Sequence, residues 1–227
     1  THPHPDHVAG LTNLVEKDTR IVATRPVVDL MRALEEPKRT QWTPVYGPEW
    51  VQRWTYPNRI IASGERLTLD GVTWSVLDLG PGGDSDANSV WFIESPGRTA
   101  FLGDVVFAGT HSYVADGHIL AWLANLERLD RLCGGMELAF PGHGPADAPA
   151  RLIARQREYL LTLVAEVKVL ADGARRLSEA AKKELEARMT AHAPNAGLTF
   201  LVSLGADAVA RELNSPPSSP SKEERTP

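Results

Sequence analysis

The sequence predicts an α/β (α+β) fold, because strand-like segments each run into a loop that carries histidine or aspartate, and three helical segments follow them. The clearest strand pattern is a pair of β-type runs, 67–69 and 72–79, joined by Asp70-Gly71, a dipeptide typical of two-residue hairpin turns. The clearest helix is 150–171, whose apolar residues recur at helical spacing. A sheet followed by C-terminal helices is therefore expected.

The segments before the hairpin predict two helices around one strand. Residues 8–17 and 26–37 have helical spacing, and residues 20–26 between them are typical of a short strand. The segment 38–56 is rich in tryptophan, tyrosine and proline and has no clear period. We interpret it as an inserted loop or lid.

Strands and helices alternate again after the hairpin, and the loops between them carry polar side chains. Strands are predicted at 90–94, 97–107 and 136–144, and helices at 120–132, 178–189 and 200–213. We divide the chain into a domain of residues 1–149 and a helical C-terminal extension of residues 150–213. Residues 214–227 are proline, serine and charged residues, a composition that predicts a disordered tail.

Composition limits the classes of partner. The 227 residues carry a net charge of −5 with no dense block of lysine and arginine, so we expect no nucleic-acid partner. No run of about twenty apolar residues occurs, so we expect no membrane span. Cys133 is the single cysteine, which excludes an internal disulfide and a cysteine-rich zinc site. We expect a cytoplasmic protein with a small-molecule substrate, and the sequence does not indicate its oligomeric state.

The stretch THPHPDH at positions 1–7 is the strongest candidate for a metal site. It places three histidines and one aspartate within six residues, and imidazole and carboxylate are common ligands of zinc. Close spacing on one turn lets neighbouring side chains diverge toward two metals. The intervening prolines stiffen the turn, which suits a preformed site.

Three later motifs, GPGGDSDANSV, FLGDVVF and FPGHG, follow this stretch in order. Together the four motifs, spread over residues 1–145, resemble those of the metallo-β-lactamase superfamily. The resemblance implies an αββα sandwich with one or two zinc ions at its loop edge. It also implies a reaction in which a metal-bound hydroxide attacks an ester, thioester, lactone, amide or phosphodiester.

The resemblance also implies a set of ligands, taken over by position in the motifs. The first metal would be bound by His2 and His4, and the second by Asp6, His7 and His143, with Asp104 bridging the two. Asp6 would in addition carry a proton to the leaving group. Two cations would lower the pKa of a shared water toward neutrality and stabilise the oxyanion of the intermediate.

One position departs from the family pattern. The family usually has a histidine in the loop that is GPGGDSDAN here, as the third protein ligand of the first metal. Aligned on the strand that follows, Asp84 falls at that position; Asp86 is the alternative, and a third possibility is that neither binds. An aspartate in place of imidazole would weaken the Lewis acidity of that metal and shift the preference from zinc toward Mn or Fe.

The loop after Asp104 lies near the substrate mouth in such sandwiches. His111 and Tyr113 in this loop are therefore candidates for hydrogen bonds to substrate, and a structural role for each stays open. In the family, strands also precede the histidine motif. Since nothing precedes Thr1 here, we expect that the first strands are missing and that the sequence is N-terminally incomplete.

The sequence is compatible with two functions. The first is a metal-dependent hydrolase, with two zinc ions, that acts on a small ester, thioester or lactone. The second is a catalytically impaired metal-binding or regulatory protein that lost turnover together with the third histidine.

Overall fold

The computed structural model describes residues 1–215. The strands are β1 Val22–Thr24, β2 Arg59–Ile61, β3 Arg66–Leu69, β4 Val72–Gly80, β5 Asn88–Ser95, β6 Thr99–Phe107 and β7 Leu138–His143. The helices are α1 Pro5–Val8, α2 Leu11–Leu14, α3 Arg25–Tyr46, α4 Ile119–Leu132, α5 Pro149–Ala171, α6 Glu179–His192 and α7 Phe200–Leu213. The tail predicted from residue 214 onward lies almost entirely outside the described residues.

The main sheet has five strands in the order β3-β4-β5-β6-β7. Strands β3 to β6 form antiparallel neighbours, and β7 joins the edge of β6 in parallel. The predicted hairpin is confirmed, because Asp70 and Gly71 join β3 to β4 and both have positive φ angles of 48° and 80°. A two-residue turn of this kind needs positive φ at both central residues.

The N-terminal segment lies between β5 and β6, where these two strands separate. Pairing of β6 with β5 ends at Phe101, so the remainder of β6 has no β5 partner. The carbonyl of Thr1 accepts hydrogen bonds from both the backbone nitrogen and the hydroxyl of Ser89, at 2.7 and 2.8 Å. A Cβ on Gly103 would lie 2.6 Å from Cβ of Thr1. The histidine motif therefore starts between two strands of the main sheet.

The segment before the main sheet differs most from the prediction. The expected single helix over 8–17 is wrong, because two short helices, α1 and α2, occupy residues 5–14. The expected loop over 38–56 is wrong for residues 38–46, because α3 continues through two prolines to Tyr46. The rings of Trp42, Tyr46 and Trp50 pack together at 5.8 to 6.2 Å, which stabilises this last part of the helix.

A second sheet of two parallel strands, β1 and β2, lies beside this helix. Strand β2 was not predicted, since three residues are too few for a recognisable alternation. Within the described residues the second sheet has only these two strands. The α/β class is confirmed.

One continuous core joins the main sheet to the C-terminal helices. Leu102 of β6, Trp122 of α4 and Leu160 of α5 are fully buried members of the same cluster. The indole nitrogen of Trp122 donates to the carbonyl of Val105, 2.8 Å away, and so fixes α4 against β6. Among residues 1–215, no helix combines the length and the apolar character that crossing a membrane requires.

Candidate metal centre

Seven residues predicted as metal ligands converge at one edge of the main sheet. They come from five segments of the chain: the N-terminal segment, helix α1, the loop between β4 and β5, strand β6 and the end of β7. The residues are His2, His4, Asp6, His7, Asp84, Asp104 and His143. Their assignment as ligands stays a prediction, whereas their proximity is a property of the fold.

The first group consists of His2, His4 and Asp84, and all three are buried. Nδ1 of His4 lies 2.7 Å from Oδ2 of Asp84. Nε2 of His2 lies 3.5 Å from the same oxygen. One nitrogen from each ring and one carboxylate therefore converge on a single point, as three ligands of one cation would.

The second group consists of Asp6, His7 and His143, and it is closer to the surface. Nε2 of His7 and Nε2 of His143 lie 3.4 Å apart, and Oδ2 of Asp6 lies 3.4 and 3.3 Å from them. The ring of Phe107 stacks on His143 at 5.4 Å with an interplanar angle of 11°, which fixes the orientation of the imidazole.

Asp104 lies between the two groups. Its Oδ1 is 3.2 Å from Nε2 of His7, and its Oδ2 is 3.2 Å from Nε2 of His143 and 3.9 Å from Nε2 of His2. A single carboxylate therefore faces rings from both groups, which is the position of a bridging ligand.

Two polar atoms in this cluster, Nε2 of His2 and Oδ1 of Asp84, are buried without a hydrogen-bond partner, and Oδ1 of Asp104 is buried with only the ring of His7 beside it, at 3.2 Å. A buried polar atom without a partner costs about 1 to 3 kcal/mol, so native proteins rarely leave several together. Ligand-type nitrogen and oxygen atoms with free lone pairs are what a divalent cation coordinates. The residues present therefore fit a pair of metal ions.

Two glycines permit this close packing. A Cβ at Gly142 would lie 1.6 Å from Oδ1 of Asp104, so a side chain at this position would displace the carboxylate. Gly144 has a φ of 96°, and a Cβ there would lie 1.8 Å from the carbonyl oxygen of Ala108. The Pro-Gly-His-Gly motif is thus needed for the approach of β7 to β6 as well as for its histidine.

Neighbouring carboxylates raise the pKa values of three histidines in the cluster. Burial lowers the pKa of His4, but hydrogen bonds to Asp116 and Asp84 outweigh burial and raise the pKa to about 10. Burial is likewise outweighed at His7, where Asp104 and Asp6 raise the pKa to about 9. Hydrogen bonds to Asp104 and Asp6 raise the pKa of His143 to about 10. The carboxylates therefore favour cations at these positions.

The carboxylates differ in their ionisation. Burial raises the pKa of Asp104, but hydrogen bonds from His143 and His7 outweigh it and hold that pKa well below its ordinary value. Hydrogen bonds from the same two histidines outweigh the burial of Asp6 and lower its pKa. Burial, together with the neighbouring Asp104, raises the pKa of Asp84 to about 7. A cation beside Asp84 would offset the free-energy cost of ionising this buried carboxylate.

The structure separates Asp84 from its alternative, Asp86. Asp84 points into the cluster, whereas Oδ1 of Asp86 lies 2.6 Å from Nε2 of His118 and its side chain is 62% exposed. Within the loop, Asp84 is therefore the residue whose position suits a third ligand.

The two candidate substrate contacts, His111 and Tyr113, differ in their burial and in their distance from the cluster. His111 is fully buried against helix α5, where its Nδ1 lies 2.9 Å from the hydroxyl of Tyr159, so it offers no surface to a substrate. Tyr113 is half-buried at the edge of the cluster, and its ring lies edge-on to His4 at 5.4 Å. Of the two, Tyr113 has the position that the prediction requires.

Sequence reasoning missed Asp116. Its Oδ2 lies 3.2 Å from Nε2 of His4, and its Oδ1 accepts a hydrogen bond from the hydroxyl of Tyr113 at 2.9 Å. Nothing in the spacing of the motifs indicates this residue, because it lies 112 positions from His4. Its position in the loop that also carries Tyr113 was the one available indication.

The sequence matches no protein-family model and no curated protein. Solved structures are similar to the chain in three dimensions. A metallo-beta-lactamase from Pontibacter korlensis is 20% identical, with a TM-score of 0.56 over 71% of this chain and 66% of that one. A beta-lactamase domain protein from Burkholderia ambifaria is 20% identical, with a TM-score of 0.63 over 94% of this chain and 66% of that one.

A third structure, of VMB-1 at pH 5.5, is 20% identical, with a TM-score of 0.51 over 71% of this chain and 65% of that one. The chain thus matches about two thirds of the length of each of these proteins. Together with the order of the strands and the clustered histidines and aspartates, these similarities show that the chain has the metallo-β-lactamase fold.

Proposed function

We propose that this chain is a metal-dependent hydrolase with a binuclear site that acts on a small ester, thioester or lactone. A fold of this kind hosts many reactions, so the proposal depends on the side chains. The observation that supports it most is the convergence of buried ligand-type atoms, among which Nε2 of His2 and Oδ1 of Asp84 have no hydrogen-bond partner, around the buried carboxylate of Asp104. These atoms lie where the first group (His2, His4 and Asp84) meets the second group (Asp6, His7 and His143).

We assign the ligands by their distances to one another. One cation would be held by His2, His4 and Asp84, the other by Asp6, His7 and His143, with Asp104 between them. Two zinc ions, when bound, would supply Lewis acidity and bring the pKa of water near neutrality. Asp84 adds a second buried carboxylate, which makes Mn or Fe alternative metals.

The chain's own residues would orient the reaction and move its proton. His7 and His143 are fixed by Asp104, and the ring of His143 is also fixed by Phe107. Asp6 has the most exposed side chain of the cluster, at 57%, and its pKa is low. Because that low pKa keeps Asp6 ionised, we assign its Oδ2 the role of accepting the proton that the attacking water gives up and passing it to the leaving group; its position between the cluster and solvent suits this relay.

The charge around the cluster supports an uncharged substrate. Asp6 and Asp116 lie at its accessible edge with Tyr113, and the whole chain carries a net charge of −5. Bound cations would offset these carboxylates at the metals, but the net negative charge of the chain as a whole disfavours a long polyanion such as nucleic acid over a small uncharged ester, thioester or lactone. A cytoplasmic location remains part of this proposal and depends on the sequence alone.

The alternative function is a metal-binding or regulatory protein with impaired turnover. Asp84 favours it, because an anion replaces the neutral imidazole expected at the first metal and reduces its Lewis acidity. Both functions require bound metal, so activity must separate them.

Metal analysis combined with a panel of chromogenic esters, thioesters and lactones tests the proposal. We expect two metal ions per chain and turnover that is abolished by Asp104→Ala. The matched control is Asp130→Ala, which removes a carboxylate on helix α4 outside the cluster. Full metal occupancy without turnover on any of these classes would favour the regulatory alternative, and failure to bind metal would contradict both functions.

A further inference from the structure

Asp116 contacts the cluster from a segment that carries none of the proposed ligands. It belongs to the loop between β6 and α4, and its Oδ2 lies 3.2 Å from Nε2 of His4. The other nitrogen of the same ring, Nδ1, faces Asp84 at 2.7 Å. The imidazole of His4 is therefore held at both nitrogens by carboxylates from two different loops.

The chemistry of imidazole assigns different roles to these two nitrogens. A histidine that binds a cation as a neutral ligand uses the lone pair of one nitrogen and carries its proton on the other. Nδ1 of His4 faces the first group, next to His2 and Asp84, so Nε2 must carry the proton. Asp116 is the carboxylate that accepts this proton in a hydrogen bond.

Asp116 is itself fixed in place. Its second oxygen, Oδ1, accepts the hydrogen bond from Tyr113 at 2.9 Å, so each oxygen has its own donor. The ring of Tyr113 lies edge-on to His4, with an interplanar angle of 87°. Three side chains thus hold one another in a fixed order, from the hydroxyl of Tyr113 through Asp116 to the ring of His4.

We propose that Asp116 is a positioning residue for the first metal: by accepting a hydrogen bond from Nε2–H of His4, it selects the tautomer that leaves Nδ1 free to bind the cation. This inference depends on the proposed function, since it requires a cation at His2, His4 and Asp84. It adds a residue outside the ligand set, and carboxylates that orient a ligand histidine typically change metal affinity by about 10- to 100-fold.

The first test is the affinity of the full chain for zinc, measured by competition with a chromophoric chelator. We expect Asp116→Ala to weaken one of two zinc sites by about 10- to 100-fold. Asp116→Asn keeps an acceptor oxygen and is expected to restore part of this loss. Asp86→Ala is the matched control, because it removes the same charge nearby but faces His118 rather than His4. It should leave the affinity at the level of the unmodified chain.

The second test is the nitrogen chemical shift of the histidine rings in zinc-loaded, ¹⁵N-labelled protein. In the unmodified chain we expect zinc on Nδ1 of His4 and a protonated Nε2 protected from exchange. In Asp116→Ala this pattern should be lost or mixed with binding through Nε2. A role in packing alone would change the melting temperature and leave these shifts unchanged.

The outcomes separate this inference from the proposed function. Zinc binding by the unmodified chain, with unchanged affinity and unchanged His4 shifts in Asp116→Ala, would overturn the role of Asp116 alone. Absence of zinc binding in the unmodified chain would overturn the proposed function and this inference together.

Discussion

At the scale of single residues, Asp104 depends on the absence of a side chain at Gly142. A Cβ there would lie 1.6 Å from its Oδ1, which is far inside the contact distance. We expect Gly142→Ala to displace the carboxylate, to destabilise the fold by about 1 to 3 kcal/mol and to lower the bound metal below two ions per chain. Urea unfolding and metal analysis measure the two effects.

Gly135→Ala is the control for this variant. The nearest atom to a Cβ at Gly135 is Nη1 of Arg98 at 3.7 Å, an ordinary contact distance. Gly135→Ala should change the free energy of unfolding by less than about 1 kcal/mol and leave the metal content unchanged. Equal effects of the two substitutions would contradict the steric account of Gly142.

A second prediction at this scale concerns the loop that lacks the family's histidine. We expect Asp84→Asn to reduce the bound metal from two ions to one after desalting, because the first group then has only two strong ligands. Asp86→Asn should retain both ions, since Asp86 faces His118 at the surface. Elemental analysis of the two variants checks this, and loss of metal from Asp86→Asn alone would reverse the assignment.

Residues of the site differed in how far the sequence could predict them. His2, His4 and His7 lie within six residues of one another, so their spacing alone indicated a metal site. Asp84 required an alignment on the following strand, and its burial beside His4 could come only from the structure. Asp116 could not be predicted, because only folding of the loop after β6 brings it to His4.

At the scale of elements, a side chain of helix α7 caps the N-terminus of helix α4. The two carboxylate oxygens of Glu212 accept hydrogen bonds from the backbone nitrogens of Ile119 and Leu120, at 2.8 and 3.0 Å. Charged acceptors at a helix N-terminus satisfy free backbone donors and the helix dipole. The residue before them, His118, has a left-handed φ of 65°, so this junction is also strained.

We therefore expect Glu212→Ala to lower the free energy of unfolding by about 1 to 3 kcal/mol. Glu137→Ala is the control, because Glu137 pairs with Arg98 at the surface and an exposed ion pair contributes about 0 to 1 kcal/mol. Urea unfolding monitored by circular dichroism compares the two variants. A smaller loss for Glu212→Ala than for the control would contradict this role of α7.

Elements were predictable where local pattern and tertiary structure agree. The β3–β4 hairpin followed from Asp70-Gly71, whose conformation suits the turn in any context. The helix that became α3 was predicted to end at Pro37, because a proline inside a helix costs about 3 kcal/mol when only local interactions are considered. Aromatic packing beyond the proline, between Trp42 and Trp50, is a contact that propensity does not contain.

At the scale of the whole molecule, the histidines make stability depend on pH when metal is removed by a chelator. The pKa values of His4, His7 and His143 are raised from 6.5 to about 10, 9 and 10. Groups with a raised pKa in the folded state stabilise it fully below pH 6.5. This contribution is lost as the pH rises from 6.5 through 10.

We expect the chelator-treated protein to lose melting temperature steadily between pH 6.5 and 10. The metal-loaded protein should lose less over the same range, because bound metal needs the neutral imidazole in any case. Thermal unfolding across this pH range compares the two forms. A constant melting temperature of the chelator-treated form would contradict the charge assigned to the three rings.

The shared core makes a further prediction for the molecule. Helix α5 contributes Leu152, Leu160 and Leu163 to the cluster that contains Leu102 of β6. A chain ending at residue 149 would expose this face of the sheet to water. We expect it to lack the cooperative unfolding transition of the full chain, as urea unfolding monitored by circular dichroism would show.

The convergence of His2, Asp84 and Asp104 in one buried cluster also has a consequence for the kinetics of metal uptake. The fold itself brings these side chains together from separate segments, so we expect an arriving cation to exchange with protons without rearrangement of the backbone. We then expect release of water from the cation and of protons from the rings to limit the rate. Uptake should be faster for ions that exchange water quickly, and faster at higher pH.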